Sequence, residues 1–222
     1  MPNTPPPPSD DTRTRLLDAA AELFAEHGYR HTPVRDICDK AGANGAAVNY
    51  HFAGKEKLHL EALEHARQRA LKEDPFPAGP PPTGPMPAAL RLRRHIRGML
   101  GRCFASGPAA WYVNMILREM VDPTAALAHA IEGNIAPHQR KLEAIIAELL
   151  DADPDDEGDT RPRDLACAVA AMTLHYHHCR PALAHMHPEI AFDQEQAERL
   201  TEVITRFTLA GIEGFRARSV SE

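Results

Sequence analysis

The chain has 222 residues, with 25 Lys and Arg against 31 Asp and Glu, for a formal net charge of −6. Its hydrophobic fraction of 43% excludes a wholly disordered protein, and the negative balance excludes a polybasic protein that holds nucleic acid by charge alone. No apolar stretch reaches the roughly 18 residues of a membrane span, and no secretory signal opens the chain. Four widely separated cysteines favour reduced thiols. We therefore expect a soluble, cytoplasmic protein.

Prolines mark the boundaries along the chain. Of the 20 prolines, five lie in residues 2–8 and seven in residues 75–87. Proline lacks the backbone N–H that an inner helix position needs, so both runs interrupt helical structure. The predicted organisation is a disordered arm at 1–10, a small helical domain at 11–72, a proline-rich linker at 73–87 and a larger helical domain at 88–222.

The apolar spacing between these proline runs is helical almost throughout. One stripe runs from Leu16 to Phe24, with Asp11 or Thr12 placed to cap its start and Gly28 placed to end it. No window alternates convincingly as a strand, so the predicted fold class is all-α. Further helices are predicted near 34–41, 58–70, 88–105, 109–121, 124–150 with a break near Pro137, 164–180 and 193–216.

Residues 32–58, TPVRDICDKAGANGAAVNYHFAGKEKL, predict two short helices joined by a glycine turn. Thr32 is placed to cap the first helix, Gly42 permits a left-handed turn after it, and Asn44 can cap the second. This is the helix-turn-helix arrangement, in which the second helix can enter a DNA major groove. Val48 is expected to face the protein interior. The positions left for the groove are Asn44, Gly45, Ala46 and Asn49.

On spacing alone, the same segment also fits a tight αα-hairpin in an ordinary helical bundle. The motifs around it are LLDAAAELFAEHGY, TPVRDICDKAGAN and NYHFAGKEKL, in that order. With these motifs the chain resembles the TetR family of transcriptional regulators across roughly residues 12–70. The resemblance implies a three-helix head that binds double-stranded DNA. The NYHF variant has Asn49 where the family usually has tyrosine. This variant and the segment WYVNMILREMVDPTAAL resemble a subset typified by the CecR-like regulators.

The resemblance also implies which residues contact DNA. The implied contacts to the phosphate backbone are Thr32, Arg35, Tyr50, His51 and Lys55. Within the groove set, the Asn49 amide can pair with the edge of adenine, and the Ala46 methyl can meet a thymine methyl. Two simpler roles stay open, because Asn44 can serve only as a cap and His51 can pack beneath the second helix.

The larger domain is too long to be only a dimer clamp. The resemblance implies that it forms a homodimer and encloses a pocket for a small-molecule effector, which would release a repressor from a palindromic operator. The candidate pocket residues are Trp111, Tyr112, Met115, Arg118 and Tyr176. Aromatic and Met side chains at helical spacing also suit an ordinary core, and Arg118 with Glu119 also suits an exposed ion pair. The last two predicted helices are candidates for the dimer bundle, and the final one carries the seam Leu200, Val203, Ile204, Phe207, Gly211 and Phe215.

A histidine-rich segment at 174–187, LHYHHCRPALAHMH, suggests a different function. Its metal-binding side chains are His175, His178, Cys179, His185 and His187. The first three fall on one helix face, where imidazole and thiolate groups could hold zinc, nickel or copper, so a metal-responsive regulator is an alternative. An enzyme is the weakest alternative, because no HExxH, GxSxG or glycine-rich phosphate loop is present. The sequence predicts no cofactor.

Overall fold

A computed structural model describes residues 10–72, 84–153, 156 and 158–218 of the chain. Most of the predicted arm and of the predicted linker, at 1–9 and 73–83, lies outside these ranges. The described residues form α-helices, one π-helical segment and no strand, which confirms the all-α fold class. In the same ranges, no helix combines the length and apolar character that a membrane crossing requires.

The helices follow one another closely along the chain. The first four are α1 (Asp10–His27), α2 (Val34–Ala41), α3 (Gly45–Phe52) and α4 (Lys55–Lys72). The next three are α5 (Ala88–Phe104), α6 (Pro108–Val121) and α7 (Ala125–Ala130). A π-helical segment (Ile131–Ile135) then leads into α8 (Ala136–Leu150), and the last three are α9 (Arg161–His178), α10 (Arg180–Met186) and α11 (Gln194–Arg218).

The first of two compact units combines the described residues up to 72 with 106–131. Helix α1 packs against α2, α4 and α6, and α4 packs against α6 and α7. The predicted apolar stripes supply the core, whose largest fully buried side chains are Leu16, Phe24, Ile37, Phe52, Leu58, Leu63 and Met115. Helices α6 and α7 thus pack against α1 or α4, which flank the helix-turn-helix segment, whereas the predicted organisation groups them with the larger domain.

The second unit combines the described residues of 84–105 and 132–218. Helix α5 packs against α8, α9 and α11 around a core built from Leu92, Ile96, Leu100, Leu142, Ile145, Ile146, Val169, Leu200 and Ile204. The predicted seam on α11 divides between two faces. Leu200 and Ile204 are buried, whereas Val203 and Phe207 are 55% and 69% exposed. Helix α11 therefore presents an apolar strip that its own unit leaves uncovered.

The start of one helix differs from the prediction. Helix α1 begins at Asp10, so Asp11 and Thr12 lie inside it and the prediction that one of them caps it is wrong. Helix α9 ends at His178, and Pro181 lies in the first turn of α10, where a proline loses no intrahelical hydrogen bond. The predicted break near Pro137 is confirmed, since the π-helical segment ends immediately before α8, which has this proline in its first turn.

Candidate nucleic-acid interface

Three residues between α2 and α3 build the turn of the helix-turn-helix. Gly42 adopts φ 60° and ψ 40°, the left-handed conformation that glycine reaches without a Cβ clash. The Asn44 side chain accepts a hydrogen bond of 3.0 Å from the Ala47 N–H and so caps α3. Arg15 of α1 donates to the Ala41 carbonyl at 2.9 Å, which ties the end of α2 to α1. The predicted glycine turn and the capping role of Asn44 are confirmed.

Helix α3 is buried on one side and open to solvent on the other. Ala47, Val48 and Phe52 are buried, so the prediction that Val48 faces inward is confirmed. The exposed residues are Asn44, Gly45, Ala46, Asn49 and Tyr50. Because the first exposed turn carries only small side chains, the backbone of α3 can come close to the base edges of a groove.

Thr32 and Arg35, near the start of α2, have different surroundings. Thr32 is 1% exposed, and its hydroxyl donates to the Gly28 carbonyl at 2.8 Å, so the side chain is turned toward the end of α1. No side chain caps α2, which begins at Val34, and the predicted capping role of Thr32 is therefore wrong. The same burial removes the Thr32 hydroxyl from the surface where a phosphate contact would form. The Arg35 side chain is 87% exposed, with Nε 3.5 Å from Asp39 Oδ2.

Tyr50, His51 and Lys55 lie around the corner between α3 and α4. The Tyr50 ring is 70% exposed and meets the His51 ring edge-on, with 5.0 Å between the centroids. His51 Nε2 is buried without a hydrogen-bond partner in the described part of the chain, an arrangement consistent with packing beneath α3. Lys55 Nζ lies 4.3 Å from the centroid of the Tyr29 ring, and partial burial lowers the pKa of this ammonium group.

The candidate effector residues divide between the two units. Those of the first unit lie on α6 and are Trp111, Tyr112, Met115 and Arg118. Tyr112 and Met115 are buried core residues, whereas the Trp111 ring is half-buried with the Arg69 guanidinium 5.5 Å from its centroid. Tyr176, on α9, packs against the core of the second unit. Their part in effector binding stays a prediction.

A cavity of about 360 Å³ lies in the first unit, between the α1–α2 turn, the start of α4 and the start of α7. Tyr29, His59 and Thr124 stand in its wall, together with Arg30 and Glu56. Its volume falls in the lower part of the range of small-molecule pockets. None of the candidate effector residues belongs to its lining.

Arg118 and Glu119 do not form the exposed ion pair that the sequence allows. Arg118 donates hydrogen bonds to the carbonyls of Ala25, at 2.7 Å, and Glu26. Glu119 is 3% exposed, with Oε1 3.6 Å from His59 Nε2. Sequence reasoning missed His59, and the available signal was its position next to Leu58 on the apolar face of α4.

Burial of His59 makes the stability of the first unit depend on pH. The ring is 3% exposed and packs against Phe24 and Tyr29, with centroids 4.6 Å and 4.9 Å away. Burial, and then the charge of Lys55, lower the pKa of His59 to about 4. Glu119 would favour the protonated ring, but its carboxylate already accepts hydrogen bonds from Thr124 and burial outweighs its attraction.

Because of His59, we expect the free energy of unfolding to decrease as the pH falls. The unfolded chain binds this proton near pH 6.5 and the folded chain only near pH 4, so the contribution is complete above pH 6.5 and is lost through that window. The full loss is about 3 kcal/mol. Urea unfolding between pH 7 and pH 4.5 should show a weaker pH dependence for His59→Phe than for the wild type. Equal pH dependences would contradict this assignment.

The histidine-rich segment does not gather into a metal site within one chain. In the ranges that the structure describes, no three His, Cys, Asp or Glu side chains lie close enough together to hold a metal ion. His178 Nδ1 lies 3.1 Å from the Leu174 carbonyl, and His187 Nδ1 lies 3.4 Å from a Glu189 carboxylate oxygen. All four cysteines are free thiols, as expected. The metal-responsive alternative therefore gains no support.

Two parts of the chain match known protein families. Residues 16–62 match the TetR family of bacterial regulatory proteins, and residues 88–214 match the C-terminal domain of the HTH-type transcriptional dual regulator CecR. CecR of Shigella flexneri is 27% identical over 221 residues, which cover 95% of this chain and 96% of CecR. The HTH-type transcriptional repressor KstR2 of Rhodococcus jostii (strain RHA1) is 52% identical over 64 residues, or 26% of this chain. That match spans 31% of KstR2.

The fold is likewise shared with a solved structure. A TetR-like transcriptional regulator from Rhodococcus sp. RHA1 superimposes with a TM-score of 0.58 at 21% identity, over 90% of this chain and 96% of the other. The match to the CecR domain alone extends over more than half of the chain. The match to the TetR head contains α2, the glycine turn and α3 complete. The chain therefore belongs to the TetR family of DNA-binding transcriptional regulators, in the group that carries the CecR C-terminal domain.

Proposed function

We propose that the protein is a homodimeric repressor that occupies a palindromic operator in the cytoplasm and leaves it when a small molecule binds the larger domain. The observation that carries the proposal is the outer face of α3, where Gly45, Ala46 and Asn49 are exposed on a helix anchored from within by Val48. Relatives with regulatory roles support it, since KstR2 is a transcriptional repressor and CecR a dual regulator.

Sequence would be read by a few side chains on α3. The Asn49 carboxamide can donate to N7 and accept from N6 of one adenine, and the Ala46 methyl can contact a thymine methyl. Arg35, with its exposed side chain, would contact a phosphate from the start of α2. Phosphate contacts of this kind position the head without reading sequence, so specificity rests on α3.

A homodimer would bring two such heads to one operator. The recognition helices of a dimer must reach successive major grooves about 34–36 Å apart. Helix α11 offers Val203 and Phe207 as an uncovered apolar strip, and α9 exposes the small residues Ala168 and Ala171. Two copies of each helix would form a four-helix bundle around a two-fold axis.

An effector would act by preferring the state that does not fit the operator. Its binding energy shifts the equilibrium only by the difference in affinity between the two states, and DNA weakens effector binding by the same factor. The effector we propose is an apolar or amphipathic small molecule, the class that suits a pocket lined by aromatic and Met side chains. Neither a membrane partner nor an enzymatic activity is part of this proposal.

A salt-dependent binding titration tests the proposal. The purified protein is titrated against the DNA upstream of its own gene, with a shuffled duplex of equal length as the control. Tight binding to the native duplex alone, with affinity falling steeply with salt, is the expected result. Equally weak binding to both duplexes, from protein shown by mass analysis to carry no small molecule, would contradict the proposal for this operator.

We expect Gly45→Ala to stabilise the folded protein and to lower its affinity for the operator. A Cβ at Gly45 meets no atom within 4 Å, and replacing helical glycine by alanine gains up to about 1 kcal/mol. The added methyl would stand between α3 and the groove, and we expect a loss of about tenfold in operator affinity. Gly133→Ala is the matched control, because a Cβ there also meets nothing. Unchanged operator affinity in Gly45→Ala would show that the backbone does not approach the DNA closely.

A further inference from the structure

Adjacent residues at the end of α6 contact two other helices of the first unit, α1 and α4. Arg118 donates from Nε to the Ala25 carbonyl at 2.7 Å and from Nη2 to the Glu26 carbonyl. Both carbonyls belong to the last turn of α1, where the helix supplies no N–H partners and the backbone dipoles present negative charge. The guanidinium therefore caps the C-terminus of α1 from outside the helix.

Glu119 is buried beside α4, with which α6 packs. Its carboxylate accepts the Thr124 N–H at 2.8 Å and the Thr124 hydroxyl at 2.9 Å, and Oε1 lies 3.6 Å from His59 Nε2. The Thr124 hydroxyl oxygen in turn accepts the Ala126 N–H and caps α7. The buried carboxylate thus closes the loop between α6 and α7 and lies against the second turn of α4.

These two attachment points flank the helix-turn-helix. The end of α1 leads into α2 through the turn in which the Thr32 hydroxyl binds the Gly28 carbonyl. The start of α4 follows α3 after only Ala53 and Gly54. Helix α6 therefore contacts α1, which precedes the DNA-reading segment, and α4, which follows it. Neither Arg118 nor Glu119 lies within that segment.

We infer that Arg118 and Glu119 are positioning residues for operator binding, which hold the entry and the exit of the helix-turn-helix on α6 in one orientation. This inference rests on the proposed operator binding. In this role the Arg118 guanidinium binds the backbone of α1, whereas the sequence prediction makes Arg118 an effector contact. A positioning residue affects the sequence-dependent part of binding, since nonspecific phosphate contacts tolerate a shifted head.

The test compares Arg118→Met, which keeps the apolar stem, with Arg118→Lys, which keeps one donor. We expect Arg118→Met to lose operator affinity by about tenfold to a hundredfold, because two charge-assisted hydrogen bonds disappear. Its affinity for a shuffled duplex and its salt dependence should stay those of the wild type, and Arg118→Lys should recover part of the loss. Arg140→Met, at an exposed arginine of α8 outside the proposed dimer bundle, controls for the removed charge.

The carboxylate gives an independent pair of variants. Glu119→Gln can still accept the Thr124 N–H and should bind the operator nearly as the wild type does, whereas Glu119→Ala should lose affinity like Arg118→Met. Equal losses on the operator and the shuffled duplex, with a shallower salt dependence, would make Arg118 a phosphate contact instead and overturn the inference. Operator affinity within about threefold of the wild type in Arg118→Met would also overturn it.

Amide hydrogen exchange tests the contact between Arg118 and the end of α1 in the absence of DNA. In Arg118→Met, or in Arg118→Lys where the first variant does not fold, amides of the 28–32 turn should exchange faster than in the wild type, while those of α11 stay unchanged. Unchanged exchange in this turn would overturn the inference. A wild-type protein that fails to bind its upstream duplex, yet shows this local change in Arg118→Met, would contradict the proposed operator and leave the attachment itself supported.

Discussion

Replacing Phe207 by glutamate is expected to convert the protein to a folded monomer of 24.4 kDa that no longer occupies its operator tightly. Phe207 is 69% exposed on α11, and burying such a side chain contributes about 1.5–3 kcal/mol. A two-fold axis doubles this contribution, and the variant would also place a carboxylate from each copy in an apolar interface. We expect dimer affinity to fall by more than a hundredfold, or about 3 kcal/mol.

The loss of operator binding follows from the loss of the second head. Two linked heads bind more tightly than one by a factor of about 10² to 10⁴, because the second contact becomes intramolecular. Analytical ultracentrifugation measures the dimer affinity, and a titration against the native duplex measures its consequence. Met186→Glu on α10 is the matched control, since Met186 is 61% exposed outside the proposed bundle. A Phe207→Glu variant that remains a dimer would place the interface elsewhere.

The helix-turn-helix could be predicted from sequence because its geometry is local. Gly42 is required by a left-handed turn, and Asn44 caps the helix that follows it. Val48 lies on the inner face of that short helix, which has few apolar side chains to bury. Each of these roles depends on residues within four positions along the chain. Backbone preference and apolar periodicity therefore determine them without reference to the rest of the fold.

Roles that depend on distant contacts could not be predicted in the same way. Thr32 has the residue type and position of a helix cap, but packing buries the side chain and its hydroxyl donates to the Gly28 carbonyl instead. Arg118 and Glu119 resemble an exposed ion pair in sequence, but Arg118 binds the end of α1 and Glu119 is buried beside His59 of α4. The hydrogen bonds of Arg118 span more than 90 residues and Glu119 faces His59 from 60 residues away, so apolar periodicity does not encode these two roles.

Asn49→Ala is expected to relax sequence preference at one base pair of each half-site while leaving the protein folded. Asn49 is exposed on α3, so its removal should not disturb the core. A bidentate amide contact discriminates against a wrong base by about 1–3 kcal/mol, which corresponds to roughly 5-fold to 150-fold in affinity. Binding to a set of operators that each carry one changed base pair measures this preference, and it should collapse at the position that Asn49 contacts.

Arg35→Ala supplies the matched control, because its exposed guanidinium is proposed to contact a phosphate and no base. This variant should weaken binding to operator and shuffled duplex alike and reduce the slope of log affinity against log salt by about one for each subunit. The two variants separate the two parts of recognition, since one changes which sequence is preferred and the other changes how strongly any sequence is held. Equal losses of Asn49→Ala on operator and shuffled DNA would assign Asn49 to the backbone and leave base reading to its neighbours on α3.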